Sequence, residues 1–186
     1  MRDITDDIER ILFTEEQIQA KVTELGSRIT ADLSDEDLIV VGILKGAGVF
    51  MSDLIRRISG AIRMDYMMIS SYGNSTVTSG IVRIVKDLEY DIHGCSVLIV
   101  EDVVDTGFTL NYLQDYLYRR GAKDVRICAL LDKPARRQKP IKVDYCGFEI
   151  PDLFIVGYGI DYAEHYRNLP FIGVLKQEIC EYYPVP

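Results

Sequence analysis

The chain has 186 residues, of which 48% are hydrophobic and 27% charged, the proportions of an ordinary globular domain. Twenty-one Lys and Arg against 29 Asp and Glu leave a net charge of −8, which argues against nonspecific nucleic-acid binding, a task that needs phosphate-neutralising cations. No apolar run approaches the roughly 20 residues that span a bilayer, and the acidic start Met1-Arg2-Asp3-Ile4-Thr5-Asp6-Asp7 does not suit a targeting peptide, so a single cytoplasmic domain over 1–186 is expected.

In chain order, Ile18, Val22, Leu25 and Ile29 recur at helical spacing, and Thr14 followed by Glu16-Gln17 makes an N-terminal cap. Residues 38–44 (LIVVGIL) form a short, β-branched apolar run that reads as a strand buried on both faces, as in parallel sheets. Lys45-Gly46-Ala47-Gly48 interrupts it, and helical periodicity resumes over 49–58. Residues 62–69 and 80–85 read as two strands joined by a long polar loop, 70–80, of the kind that often serves as a lid.

A second strand–loop–helix unit follows: a strand over 96–100, a polar loop over 101–107, and a helix over 109–120 striped by Leu110, Leu113 and Leu117 and stopped at Gly121. Further strands are expected at 125–131, 143–148, 154–156 and 171–175. Strands alternating with helices predict an α/β fold, a mainly parallel twisted sheet flanked by helices. Cys95, Cys128, Cys146 and Cys180 are scattered, with neither a C-x-x-C pair nor a His at zinc-site spacing. Buried, inert thiols are the expected reading, and His93 and His165 receive no role.

Ligands of open α/β sheets bind at the carboxyl ends of strands, where Glu101-Asp102-Val103-Val104-Asp105-Thr106-Gly107-Phe108-Thr109 lies. Gly107 permits a tight turn, and backbone N–H groups with the Thr106 and Thr109 hydroxyls suit a phosphate. Glu101, Asp102 and Asp105 would repel a bare phosphate. A phosphorylated sugar with magnesium reconciles the two, since its hydroxyls and metal engage the acids. There is no G-x-x-x-x-G-K-[ST], and Gly46-Ala47-Gly48-Val49-Phe50-Met51 lacks the third glycine of a dinucleotide fingerprint.

Residues 97–110, four hydrophobics, two acids and then D-T-G-x-T, resemble the type I phosphoribosyltransferases. Leu44-Lys45-Gly46, Ser70-Ser71-Tyr72, Leu131-Asp132-Lys133, the run from Pro151 to Tyr162 and Tyr166-Arg167-Asn168-Leu169-Pro170 narrow the resemblance to the hypoxanthine and hypoxanthine–guanine phosphoribosyltransferases along nearly the whole chain.

That resemblance implies a small base-binding hood, from about residue 150 on plus the N-terminal segment, and transfer of a phosphoribosyl group from 5-phosphoribosyl 1-diphosphate (PRPP) to a 6-oxopurine with Mg2+ as cofactor. It implies that Glu101 and Asp102 engage the ribose hydroxyls and magnesium, that Asp105 is the general base near purine N7, and that Asp105, Thr106, Gly107, Phe108 and Thr109 hold the 5′-phosphate. Lys45 and Gly46 form the pyrophosphate loop, whose peptide beside the lysine can be cis, and Arg167 binds the leaving pyrophosphate. Lys133 donates to the 6-oxo group, Phe154 stacks on the base, and the Ile155 backbone reads the purine edge. Asp161, in the same group, holds a second magnesium that bridges pyrophosphate. Ser71 and Tyr72 belong to the mobile loop. A homodimer or homotetramer is implied as well. Adenine, a donor at position 6, is disfavoured by the donor-only Lys133, while xanthine, and a non-catalytic regulator that binds nucleic acid, stand as the rival readings.

Overall fold

In the computed structural model, which describes residues 3–71 and 82–182, the apolar run LIVVGIL is strand β2 (Leu38–Leu44). It lies at the centre of a six-stranded sheet with β3 (Arg63–Ser71), β4 (Val82–Lys86), β5 (Ser96–Val104), β6 (Asp124–Asp132) and β7 (Tyr145–Glu149). The order is β4-β3-β2-β5-β6-β7, parallel throughout except for the antiparallel edge strand β4.

Alternation along the strands divides the core in two. Leu38 and Val40 with Leu98 and Val100 face helices α1 (Glu15–Leu33) and α2 (Ala47–Leu54). Ile39, Val41 and Ile43 with Val97 and Ile99 face α3 (Phe108–Arg119). Helix α1 buries Ile18, Val22, Leu25 and Ile29, and its Thr14–Gln17 capping box satisfies backbone N–H groups that a helix start otherwise leaves unpaired. Helix α2 begins two residues before the expected 49 and gives way to a 3-10 turn over Ile55–Arg57.

A second sheet is antiparallel, in the order β1 (Ile8–Phe13), β9 (Ile172–Leu175) and β8 (Ile155–Val156). Val156, Tyr162, Tyr166, Leu169 and Leu175 form a third apolar cluster, and a short helix α4 (Gln177–Tyr182) follows. Cys95 and Cys128 are buried free thiols and Cys146 is half-buried, in line with the reading of inert cysteines. Among the described residues, no helix is long and apolar enough to cross a membrane.

The connectivity selects one location for a ligand. From β2 the chain proceeds to β3 on one side, and from β5 to β6 on the other, although β2 and β5 are neighbours. Such a reversal opens a crevice at the carboxyl ends of the two strands. Lys45-Gly46 leaves β2 there, and the acids 101 and 102 lie near the end of β5, before it closes at Val104.

Candidate active site

The acids 101 and 102 lie within a strand and not in the polar loop expected from 101. Strand β5 continues to Val104 because β6 is long enough to pair it, Glu101 with Ala129, Val103 with Leu131 and Val104 with Asp132. The pairing fixes Glu101 and Asp102 on rigid backbone. Asp102 Oδ1 accepts from the Val103 N–H at 2.8 Å, whereas Glu101 Oε2 is buried with no hydrogen-bond partner. Burial, and then the neighbouring Asp102 carboxylate, pushes the Glu101 carboxyl well above its usual range. Burial raises Asp102 also; its own backbone bonds and then Arg167 pull it down, and Asp161 pushes it up. Two adjacent acids, one with a buried and unpartnered oxygen, thus gather negative charge that the Arg167 guanidinium offsets only in part.

Gly107, with φ +86°, caps α3 without any side-chain bond, so Asp105 is not the helix cap. The turn 105–107 is packed beneath by residues 137–139: the N–H groups of Gln138 and Lys139 both donate to Thr106 O at 3.0 Å. A Cβ at Gly107 would meet Lys139 O at 2.7 Å. The turn also lines a cavity of about 90 Å³, together with Glu101, Val103 and Thr109. The N–H groups of the first turn of α3 lack intrahelical acceptors, which favours an anion.

Next to this turn is a cleft of about 430 Å³, lined among others by Asp105, Lys133, Arg136, Asp152, Phe154 and Ile160. Lys133 follows β6. Its backbone N–H donates to Val104 O at 2.9 Å, and its ammonium donates to Leu153 O at 2.7 Å and to Asp152 Oδ1 at 3.3 Å. An ammonium has three N–H bonds, so one donor remains for the cleft. Phe154 is 58% exposed although large and apolar, and its ring meets Tyr162 edge-on at 5.5 Å. Ile155 lines the same cleft at the start of β8.

On the β2 side, the Leu44–Lys45 peptide is cis. A Cβ at Gly46 would collide with the Asp102 carboxylate, and one at Gly159 with Gly46 O, so three segments converge at this loop. Arg167 donates to Gly159 O at 2.8 Å and pairs with Asp161 at 2.8 Å. Asp161 also accepts from the Glu164 N–H at 2.9 Å and does not line the 430 Å³ cleft. Among the described residues, no group of three or more His, Cys, Asp or Glu side chains is gathered to hold a metal, so Glu101, Asp102 and Asp161 do not form one ready-made site.

Two contributors, Arg136 and Glu164, carried no sequence signal of their own. Arg136 donates through Nε to Asp105 Oδ1 at 3.0 Å and lies 3.4 Å from Asp152 Oδ2, brought round by the 3-10 turn Pro134–Arg136. Only Pro134 hinted at that turn. Glu164 pairs with Lys45 across 119 residues. Tyr72 and the rest of the loop 70–80 beyond Ser71 lie outside the described residues, and the Ser71 backbone closes β3.

Comparison with known proteins agrees with this geometry. Residues 11–163 match the phosphoribosyl transferase domain family. The chain is 53% identical over 175 residues to hypoxanthine-guanine phosphoribosyltransferase of Bacillus subtilis, covering 94% of this chain and 97% of that one. It is 52% identical to the bifunctional protein TilS/HprT of Listeria innocua, covering 94% of this chain but 27% of that longer one. A hypoxanthine phosphoribosyltransferase structure from Staphylococcus aureus superposes with a TM-score of 0.92 at 47% identity, covering 96% of this chain and 98% of that one. A hypoxanthine-guanine phosphoribosyltransferase structure from Bacillus anthracis gives 0.87 at 47% identity, covering 91% and 99%.

Proposed function

Because the chain belongs to the phosphoribosyltransferase family, and within it to the hypoxanthine–guanine phosphoribosyltransferases, we propose the division of labour by which its residues carry out that chemistry. The protein is a purine-salvage enzyme that transfers the 5-phosphoribosyl group of PRPP to hypoxanthine. Guanine, with the same 6-oxo acceptor, is a second substrate.

The reading rests on one observation above the others: an acid pair within β5, one of its oxygens buried and unpartnered, is followed directly by an N–H-rich glycine turn, beside a cleft with an anchored ammonium. The turn 105–109 holds the 5′-phosphate. Glu101 and Asp102 accept from the ribose 2′- and 3′-hydroxyls. The unpartnered oxygen of Glu101 and the like charge beside it suit Mg2+, which binds through one or two carboxylates together with substrate oxygens. That ion, when bound, would neutralise charge on the pyrophosphate, and Asp161 would hold a second one.

In the base cleft, Phe154 stacks on the purine and the remaining Lys133 N–H donates to its 6-oxo group. N9 attacks C1′ as the C1′–oxygen bond breaks, and the bonding pair leaves with pyrophosphate toward Lys45 and Arg167. Asp105, with Oδ1 held by Arg136, presents Oδ2 to N7 and takes its proton. The enzyme works in the cytoplasm as a homodimer or homotetramer, with the small β1-β9-β8 sheet as hood over the base.

Lys133→Met tests the base assignment. Loss of a charge-assisted hydrogen bond costs about 1.5–3 kcal/mol, so the requirement for hypoxanthine rises roughly 10- to 150-fold while the KM for PRPP stays nearly constant. If PRPP affinity falls instead and base selectivity is unchanged, Lys133 belongs to the phosphate site.

A further inference from the structure

Lys45 and Arg167, the two cations assigned to pyrophosphate, share one carboxylate. Glu164 Oε2 lies 2.8 Å from Lys45 Nζ and 3.4 Å from an Arg167 terminal nitrogen. Lys45, first and foremost, holds the Glu164 carboxyl below its usual range. The backbone is arranged to present this side chain: Ala163 and Glu164 both adopt positive φ, +49° and +65°, which non-glycine residues rarely do. The turn is pinned on both sides, by the Glu164 N–H donating to Asp161 Oδ2 and by reciprocal backbone bonds between Tyr162 and His165 at 3.0 and 3.2 Å. Arg167 is fixed in turn by Gly159 O, and its Nε is buried with no partner.

We propose that Glu164 is an internal stand-in for pyrophosphate: its carboxylate occupies Lys45 and Arg167 in the ligand-free enzyme, and an incoming diphosphate must displace it. The inference rests on the assignment of those two cations to the pyrophosphate. A carboxylate offers two oxygens with one negative charge, and a diphosphate offers more of both, so the ligand wins the exchange. The exchange still has a cost, because apparent affinity is reduced by the fraction of enzyme whose site is already filled. Glu164 is 64% exposed at its side chain, so the internal pairs are weak and readily broken. Its return then assists departure of the product. Glu164 is thus a positioning residue that sets how tightly the diphosphate end is held, without touching the base.

Glu164→Gln keeps side-chain length and the backbone N–H to Asp161 but removes the charge. Titration calorimetry with magnesium pyrophosphate on the full chain is expected to show roughly three- to tenfold tighter binding than in the wild type. The KM for PRPP falls alongside, and the KM for hypoxanthine is unchanged. A structural lesion would not produce tighter binding. Lys45→Met, titrated in parallel, separates the two levels of the argument. Pyrophosphate binding weakened by Lys45→Met but unaltered or weakened by Glu164→Gln overturns the role of Glu164 alone. Pyrophosphate binding unaffected by Lys45→Met overturns the cation assignment and, with it, the inference.

Discussion

Asp105→Asn is expected to slow single-turnover transfer to hypoxanthine by on the order of 10²–10⁴, the usual effect of removing a general base, while PRPP and hypoxanthine still bind. The substitution keeps the shape of the side chain and an oxygen for the Arg136 contact, which in the native protein is 3.0 Å from Oδ1. It removes only the basic carboxylate. Purines that lose their proton readily suffer least, since they need less help. A rival account makes Asp105 a helix cap and predicts a loss of stability instead. The fold opposes it, because Gly107 occupies the cap position and no side chain bonds there. The Asp105–Arg136 pair is also half-exposed, so its loss destabilises the fold by about 1 kcal/mol or less. A thermal melt close to that of the wild type, with chemistry slowed at saturating substrates, is the expected pair of results. A normal rate in the folded variant would place the base elsewhere.

Gly107→Val is expected to weaken PRPP and the nucleotide product together, by on the order of 10²-fold, because both carry the 5′-phosphate. A β-branched side chain is strained at φ +86°. Its Cβ would also press on Lys139 O at 2.7 Å and on Arg137 Cδ at 3.2 Å, and the first of these is backbone that cannot swing aside. The turn must therefore move, misdirecting at least two N–H donors of the kind that contribute about 1.5–3 kcal/mol each to a charged partner. Hypoxanthine, held by Lys133 and Phe154, should bind as before. Calorimetry with PRPP, with inosine monophosphate and with base, beside a circular-dichroism check of folding, reads the effect. Unchanged affinity for both phosphorylated ligands in a folded variant would move the phosphate site away from this turn.

Both predictions rest on residues that local sequence made conspicuous. Strand β2 begins and ends where its apolar run does, since a strand buried on both faces leaves no ambiguity of period. Thr14 and Gln17 cap α1 as their spacing indicates. The acids before Gly107 stood out because carboxylates beside an anion turn make sense only with a more complex ligand. The sequence pattern ends strand β5 four residues early, because Glu101 and Asp102 look like loop chemistry and only pairing with β6 holds them in the sheet. Strand β1 gave no usable pattern: Glu9, Arg10 and Ile11 are all exposed, and its partner β9 lies about 160 residues away. Arg136 and Glu164 were invisible for the same reason. Their partners are 31 and 119 residues distant, and a surface Arg or Glu has no periodicity to betray it.

The catalytic chemistry itself is tested most directly by pyrophosphate release from PRPP, measured with hypoxanthine, guanine, xanthine and adenine, each with magnesium and with excess chelator. Lys133 offers only donors, and the adjacent Glu101 and Asp102 carboxyls, with an unpartnered Glu101 oxygen, suit a divalent ion. The account therefore predicts release with hypoxanthine and guanine, essentially none with adenine, and collapse of activity in chelator. Equal turnover with adenine, or full activity without a divalent ion, would contradict it.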